Sequence, residues 1–426
     1  MTTNRVWPLA CAAMFGVASA TVAAQGPTIA ITGARVHPVS GPVIEGGTVV
    51  IRGGKIIAVG ASVPVPDGAV RIDGSGKWIT PGIFNATTSL GVSEIGGLPG
   101  TADGGAMGQN DAVTASFRVW DGFNPASPLL QVTRNDGITT VGVVPQGGMI
   151  SGMGAVVALR DAPLAQVVLR GPAAMFADLG STGPGRGVSR GEVFQRFRSV
   201  LSDARLFPSR RADYERAASR PLAARAVDLD ALRPVLGGAL PLVVDADRAT
   251  DIVEALSIGR EYGLRVAVAS ATEAWKVADR LAGTYVLVGA LNNIPRSFST
   301  LGARQDNAAL LHQAGARVVI AGGVDAFNAR NVRYEAGVAV SFGMPWDAAL
   351  RAVTLTPAEL FGVAGRVGSL EVGKDATLVL WTGDPFEPMT RAERVFVDGV
   401  EVQGASRQDE LMRRYRTLPP DYRRRP

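Results

Sequence analysis

Two acidic residues each close a short β-branched run: Asp245 in "PLVVDAD" and Asp325 in "IAGGVDAF". Carboxylates at strand ends suit two kinds of chemistry. One of them takes a proton from an attacking water as a general base, or the pair holds a hard cation such as Mg²⁺ or Ca²⁺ through oxygen, joined by Glu94 or Asp178. The competing structural roles are a turn and helix cap for Asp325 and a solvated loop acid for Asp245. A further stretch, "KWITPGIFNATTSLG" at 77–91, is read as a buried strand that passes a Pro-Gly corner into a polar run with neither charge nor histidine. The chain has only two histidines, His37 and His312, and one cysteine, Cys11. Neither a histidine cluster nor a Cys-ligated metal site can therefore form.

The elements that position these residues are legible from periodicity. Between about 235 and 325 the runs "RVAVASA", "TYVLVGA" and "ARVVIAGG" are continuously apolar, as strands buried on both faces of a parallel sheet are. "TDIVEALSIGREYG", "TEAWKVADRLAG" and "DNAALLHQAG" alternate with them as helices, each opening on a capping residue, Thr250 in the first case, and closing on glycine. Earlier, "GITTVGVVP" and "GAVVALR" read as strands, and "SRGEVFQRFRSVLSDA" as a long helix opening at Ser189. Repeated βα units over this length predict an α/β fold with a (β/α)₈ TIM-type barrel. Short β runs flank it on both sides, with Gly53-Gly54 as a two-residue hairpin turn, so both termini are expected to build one small β-sandwich. The expected division is 25–79 for the first part of the sandwich, 80–366 for the barrel, 367–403 for the second part and 404–426 for an Arg-rich tail.

Residues 1–24 read as a secretory signal, with Arg5, an apolar run from Val6 to Ala18 and small residues up to Ala24. The expected location is periplasmic or secreted, with the only cysteine removed and no transmembrane segment in the remainder. The formal net charge of +5 raises the question of nucleic acid. Seven arginines against Asp409, Glu410 and Asp421 concentrate the excess in the tail, and the body is close to neutral, which argues against a nucleic-acid partner. "GPGRG" at 183–187 lacks the spacing of a nucleotide-binding loop and reads as a flexible turn.

Three segments together resemble the amidohydrolase superfamily, and imidazolonepropionase-like secreted members in particular. They are "DGSGKWITPGIFNATTSLG", "NDGITTVGVVPQGG" and "LTPAELFGVAGRVGSLEVGKDATLVLWTGDP". The resemblance implies a hydrolase of non-peptide C–N bonds whose divalent metal is held by Pro-Gly-x-x-Asp-x-His-x-His after the first barrel strand. On this chain that pattern falls on Asn85, Thr87 and Ser89. The bridging residue of strand four falls near Phe176, the histidine of strand five on Asp245 and that of strand six on Ser270, whereas the acid after strand eight is retained as Asp325. Neutral hydroxyls are poor donors to a transition metal, so the resemblance implies a degenerate metal site.

Three functions follow. The first is an amidohydrolase-like enzyme acting on small amides, lactams or dipeptide-like substrates, with Asp325 and Asp245 as the catalytic carboxylates, Asp325 as base, and Asn85, Thr87, Ser89 and Ser270 binding the substrate. It needs no metal, or at most a weakly held oxygen-ligated divalent cation. The second is a catalytically silent barrel that binds a small molecule, a second copy of itself or an active paralogue. The third, a carboxylate-pair glycosidase, is disfavoured by the amidohydrolase-like sandwich. Elemental analysis of the purified protein is expected to find less than one transition-metal ion per chain; two tightly held ions would overturn the reading of the donor positions.

Overall fold

The computed structural model describes residues 26–105, 112–180, 189–291, 293–402 and 404–417. The expected signal at 1–24, the turn at 183–187 and the last part of the tail lie outside the described residues. Sixteen strands are present among them. They run β1 (Ile29–Val36), β2 (Ile44–Arg52), β3 (Lys55–Gly60), β4 (Val70–Asp73), β5 (Trp78–Pro81), β6 (Ile83–Thr88), β7 (Ile138–Val143) and β8 (Ile150–Ala158). There follow β9 (Val168–Asp178), β10 (Leu242–Ala246), β11 (Val266–Ser270), β12 (Tyr285–Val288), β13 (Arg317–Ile320), β14 (Leu378–Trp381), β15 (Ala392–Val397) and β16 (Val400–Glu401).

Strands β6 to β13 form one eight-stranded sheet in chain order, and β13 returns against β6 to make a nearly closed barrel. Seven of the strands are parallel. The exception is β8, which runs antiparallel to both β7 and β9 and so departs from a uniform succession of βα units. The physical reason is the length of the connections: six residues separate β7 from β8, enough for a hairpin and too few for a helical crossover. Within the barrel, alternate residues point inward. Phe84, Val156, Phe176, Val243, Leu287 and Val319 fill the lumen, and Phe361 packs beside Phe84 with ring centroids 6.0 Å apart. The outward residues pack against the surrounding helices, as expected for parallel strands buried on both sides.

The helices differ from expectation in detail. Ser189 caps the helix Arg190–Glu215, accepting from the Glu192 amide at 3.3 Å, as its position before the run predicts. The helix after β10 starts at Ala249, one residue before the expected cap Thr250, and Arg248 is its N-cap. Glu273 takes over the capping: its carboxylate accepts the Ala249 amide at 3.2 Å, so Thr250 is free to lie in the first turn. "TEAWKVADRLAG" is a kinked 3₁₀ stretch, Ala274–Arg280, broken at Val277. In the tail, Ser406 and Asp409 form a capping box on the helix Arg407–Tyr415.

The second sheet is built from both termini. Its order is β16-β15-β14-β5-β1-β2-β3, with β4 also paired to β1. Gly53 and Gly54 turn the β2–β3 hairpin with φ of 56° and 78°. The join between the terminal segments is antiparallel, Leu378 to Trp381 against Pro81 to Trp78. Trp381, fully buried, donates its indole N–H to the Thr80 hydroxyl at 2.8 Å. Its ring lies so close to Gly137, at φ 82°, that a Cβ there would stand 2.2 Å from it, which makes glycine necessary immediately before β7. One indole thus locks the terminal sheet to the barrel. Trp381→Ala is expected to lower stability by about 3–5 kcal/mol, measured by urea unfolding, because it opens a large cavity and removes the indole donor to the Thr80 hydroxyl.

Candidate active site

The C-terminal ends of the barrel strands surround a cavity of about 490 Å³, a size that suits a small-molecule ligand. Strand parity explains how β10 delivers Asp245 to it. Val243 points into the lumen, so the residue two positions on, Asp245, points the same way one layer higher, at the mouth. On the neighbouring strand β9, Phe176 and Asp178 repeat that placement, and Asp178 is the register partner of Asp245. Asp178 also accepts the Gly180 amide at 2.9 Å. Asp247, after β10, and the buried Glu335 complete a set of four carboxylates on the cavity wall, with Arg296 as the cation among the described lining residues.

Strand parity does not account for Ser270. Ala269 already faces the cavity, so a regular strand would turn Ser270 away. Instead Ser270 and Ala271 adopt φ of 63° and 50°, the left-handed region that costs a non-glycine residue roughly 1 kcal/mol or more. This twist brings the exposed Ser270 hydroxyl onto Asp245, to which it donates at 2.6 Å. Thr272 makes the corresponding bond to Asp247 but is itself buried.

Partial withdrawal from water pushes the Asp245 carboxyl up to about 7, reinforced by the neighbouring charges of Asp178 and Asp247 and partly offset by the Ser270 bond. Burial also raises Asp247, against the opposing bond from Thr272, and raises Glu335, against the amide donors of Ala290 and Leu291. Glu335 thereby pins the loop after β12 to the helix Val332–Ser341.

The polar run after β6 divides between cavity and scaffold. A register irregularity between Asn85 and Thr88 lets Thr87 line the cavity. Asn85 is fully buried, and its carboxamide donates to the Ala329 carbonyl at 2.9 Å and accepts the Thr87 amide at 3.2 Å. The Ser89 hydroxyl accepts the Ala326 amide at 3.1 Å. Asn85 and Ser89 therefore tie β6 to the segment after β13 and do not line the cavity. Asp325 sits in that same segment, exposed and outside the cavity lining. Its carboxylate accepts from the Phe327 amide at 3.0 Å and from the Asn328 carboxamide at 3.1 Å, capping the 3₁₀ helix Ala326–Asn331. Glu94 accepts from Asn124 and Ser127, likewise away from the cavity.

Counted round the barrel, Phe176, Asp245 and Ser270 lie on the fourth, fifth and sixth strands, and Asp325 follows the eighth. Among the described residues, no three His, Cys, Asp or Glu side chains form a group that could hold a metal ion. His37 is buried at the end of the terminal sheet between Trp78 and Trp346, at ring distances of 4.7 and 4.6 Å, and His312 lies on the helix Asn307–Gln313. Also among the described residues, no helix is long and apolar enough to cross a membrane.

The sequence model of the amidohydrolase family matches residues 261–405, from the end of the helix after β10 through the terminal strands. An amidohydrolase from Thermotoga maritima superposes with a TM-score of 0.80 at 26% identity, covering 88% of this chain and 100% of that one. The chain thus carries the family's sequence signature over its C-terminal third and is similar in fold to an amidohydrolase over nearly its whole described length. Imidazolonepropionase of Acidiphilium cryptum is 24% identical over 376 residues, spanning 81% of this chain and 89% of that protein. The amidohydrolase tasK of Hapsidospora irregularis is 25% identical over 391 residues, 83% of this chain, but the match spans only 39% of that longer protein. The superfamily is one of hydrolases, which agrees with a chemical site at the mouth of the barrel.

Two features of this cavity escape sequence reasoning. The left-handed turn at Ser270–Ala271 has no glycine to announce it, and Glu335 reaches the cavity from a helix rather than from a strand end. The raised carboxyl carries a stability consequence. Folding favours the protonated form of Asp245, so its contribution is present at low pH and is lost as pH rises from about 4 through about 7. Asp245→Asn is expected to raise the thermal midpoint at pH 8 and to leave it nearly unchanged at pH 4.5, read by calorimetry at both values.

Proposed function

We propose that this amidohydrolase-superfamily chain hydrolyses small neutral or cationic amides, lactams or related acyl compounds, with Asp245 as the general base. The observation that carries the reading is the state of that carboxylate. It stands at the cavity mouth, oriented by a hydrogen bond from Ser270 and raised to about 7, where a base is both deprotonated in useful amount near neutral pH and strong enough to take a proton. Four carboxylates around the cavity disfavour an anionic substrate and favour a neutral amide or one carrying an amine. Arg296 and the Thr87 hydroxyl are placed to donate to a carbonyl oxygen. Asp325 is assigned to capping in this reading, because its carboxylate is engaged there and stands outside the cavity.

Superfamily members usually use divalent metals, which activate a water and polarise the carbonyl when bound. The residues at the corresponding positions here are Asn85, Thr87, Ser89, Phe176, Ser270 and two carboxylates, Asp245 and Asp325, the second of which is engaged in its helix cap. Asn85 and Ser89 are occupied by backbone partners, and a phenyl ring and neutral hydroxyls do not fit a transition-metal pair. No step is assigned to a metal. The same donor set favours a second reading, a barrel that binds its ligand without turnover. The expected export signal would make either activity periplasmic or secreted.

Hydrolysis of p-nitrophenyl acetate and of acyl p-nitroanilides separates the two readings. The rate is expected to rise with pH through about 7 and level off above it, because the base acts deprotonated. Asp245→Asn should lower kcat by about 10²-fold or more and abolish that limb. Binding without turnover, or turnover unchanged in Asp245→Asn, would refute the proposal.

A further inference from the structure

We infer that Ser270 is the nucleophile of this site, so that hydrolysis runs through an acyl-enzyme formed on its hydroxyl with Asp245 as its base. The inference rests on the proposed hydrolytic reading and concerns which hydroxyl Asp245 deprotonates. Three observations single out Ser270. Its O–H is aimed at the Asp245 carboxylate at 2.6 Å, the arrangement of a nucleophile and its base. The hydroxyl is exposed at the cavity, whereas Thr272, which lines the same cavity and is paired in the same manner with Asp247, is buried and has a methyl group beside its hydroxyl that crowds an attack. Two consecutive non-glycine residues hold positive φ there, and their combined effect is to swing the Ser270 side chain from the outer face of β11 to the lumen. The position of Ala269, which faces the cavity beside Asp245 without such a turn, could have carried a hydroxyl that only needed to hydrogen-bond that carboxylate.

The chemistry balances with these groups. As Ser270 Oγ bonds to the substrate carbonyl carbon, its proton passes to Asp245 and the C=O electron pair moves onto oxygen. Collapse of that intermediate breaks the C–N bond, and the departing nitrogen takes the proton from Asp245. A water then adds to the acyl carbon, giving its proton to Asp245. Cleavage of the C–Oγ bond returns a proton to Ser270 and releases the carboxylic acid. No oxidant or further co-reactant is required.

The test uses the full chain with two probes, p-nitrophenyl acetate and diisopropyl fluorophosphate. Expected are a pre-steady-state burst of about one p-nitrophenolate per chain and a diisopropylphosphoryl adduct on Ser270, formed with loss of fluoride and located by peptide mass spectrometry. Ser270→Ala should lose burst, adduct and at least 100-fold in kcat, and Asp245→Asn should slow formation of the adduct on the intact serine. Circular dichroism and thermal melts report whether each variant is folded, and Ser270→Cys, which retains a nucleophile, should keep a burst. Turnover in Ser270→Ala within tenfold of the parent, with the limb near pH 7 still dependent on Asp245, would overturn the nucleophile while leaving the hydrolytic reading intact. Absence of any turnover or adduct in the parent protein would overturn both.

Discussion

A carboxylate drawn partly out of water is the constraint around which this site is arranged. Asp245 cannot face outward without breaking the inward parity that seats Val243 in the lumen, so β10 must deliver it to the mouth of the barrel. There it meets Asp178 across the sheet and Asp247 two residues on, neighbours that further disfavour its ionisation. The Ser270 hydrogen bond opposes that trend, and it exists only because the backbone after β11 takes an uncommon conformation. Local strain and electrostatic discomfort therefore coincide at one point, as they do where a fold trades stability for chemistry.

The remainder of the mouth is a rigid frame. Asn85 and Ser89 fasten β6 to the segment that follows β13, which joins the first and last barrel strands at the level of the cavity. Asp325 stiffens that segment through its cap, and Glu335 holds the loop after β12 by two backbone amides. Apart from the exposed Asp325 cap these contacts are buried or partly buried, and each donor in them has its acceptor, so together they fix the cavity outline. The polar run "NATTS" is thus largely structural, with Thr87 alone turned toward the ligand space.

Much of the architecture is legible in the sequence, because the barrel strands, the Gly53-Gly54 hairpin and the Ser189 cap follow from local patterns with direct physical causes. The antiparallel course of β8 was not, since "GAVVALR" reads as a strand in either direction and only the short connection from β7 decides between them. Of the site, Asp245 and its inward direction could be read from "PLVVDAD" by parity. Ser270 was reached through family resemblance, not through its own neighbourhood, because positive φ at Ser and Ala leaves no compositional mark. Placing both acids at the active face was the expectation for Asp325 as well, and its position outside the cavity reflects a helix start that begins immediately after it and claims both carboxylate oxygens.

The seam between β5 and β14 joins residues about three hundred positions apart. During synthesis β5 stands with one bare edge until β14 has emerged, and only then does Trp381 reach Thr80 and Gly137. A growing polypeptide of this design has no completed terminal sheet to protect it, and its exposed strand is a site for mispairing with other nascent chains. Folding of the amino-terminal strands is consequently gated by the carboxyl-terminal ones, so clipping the chain before Leu378 would cripple both ends at once.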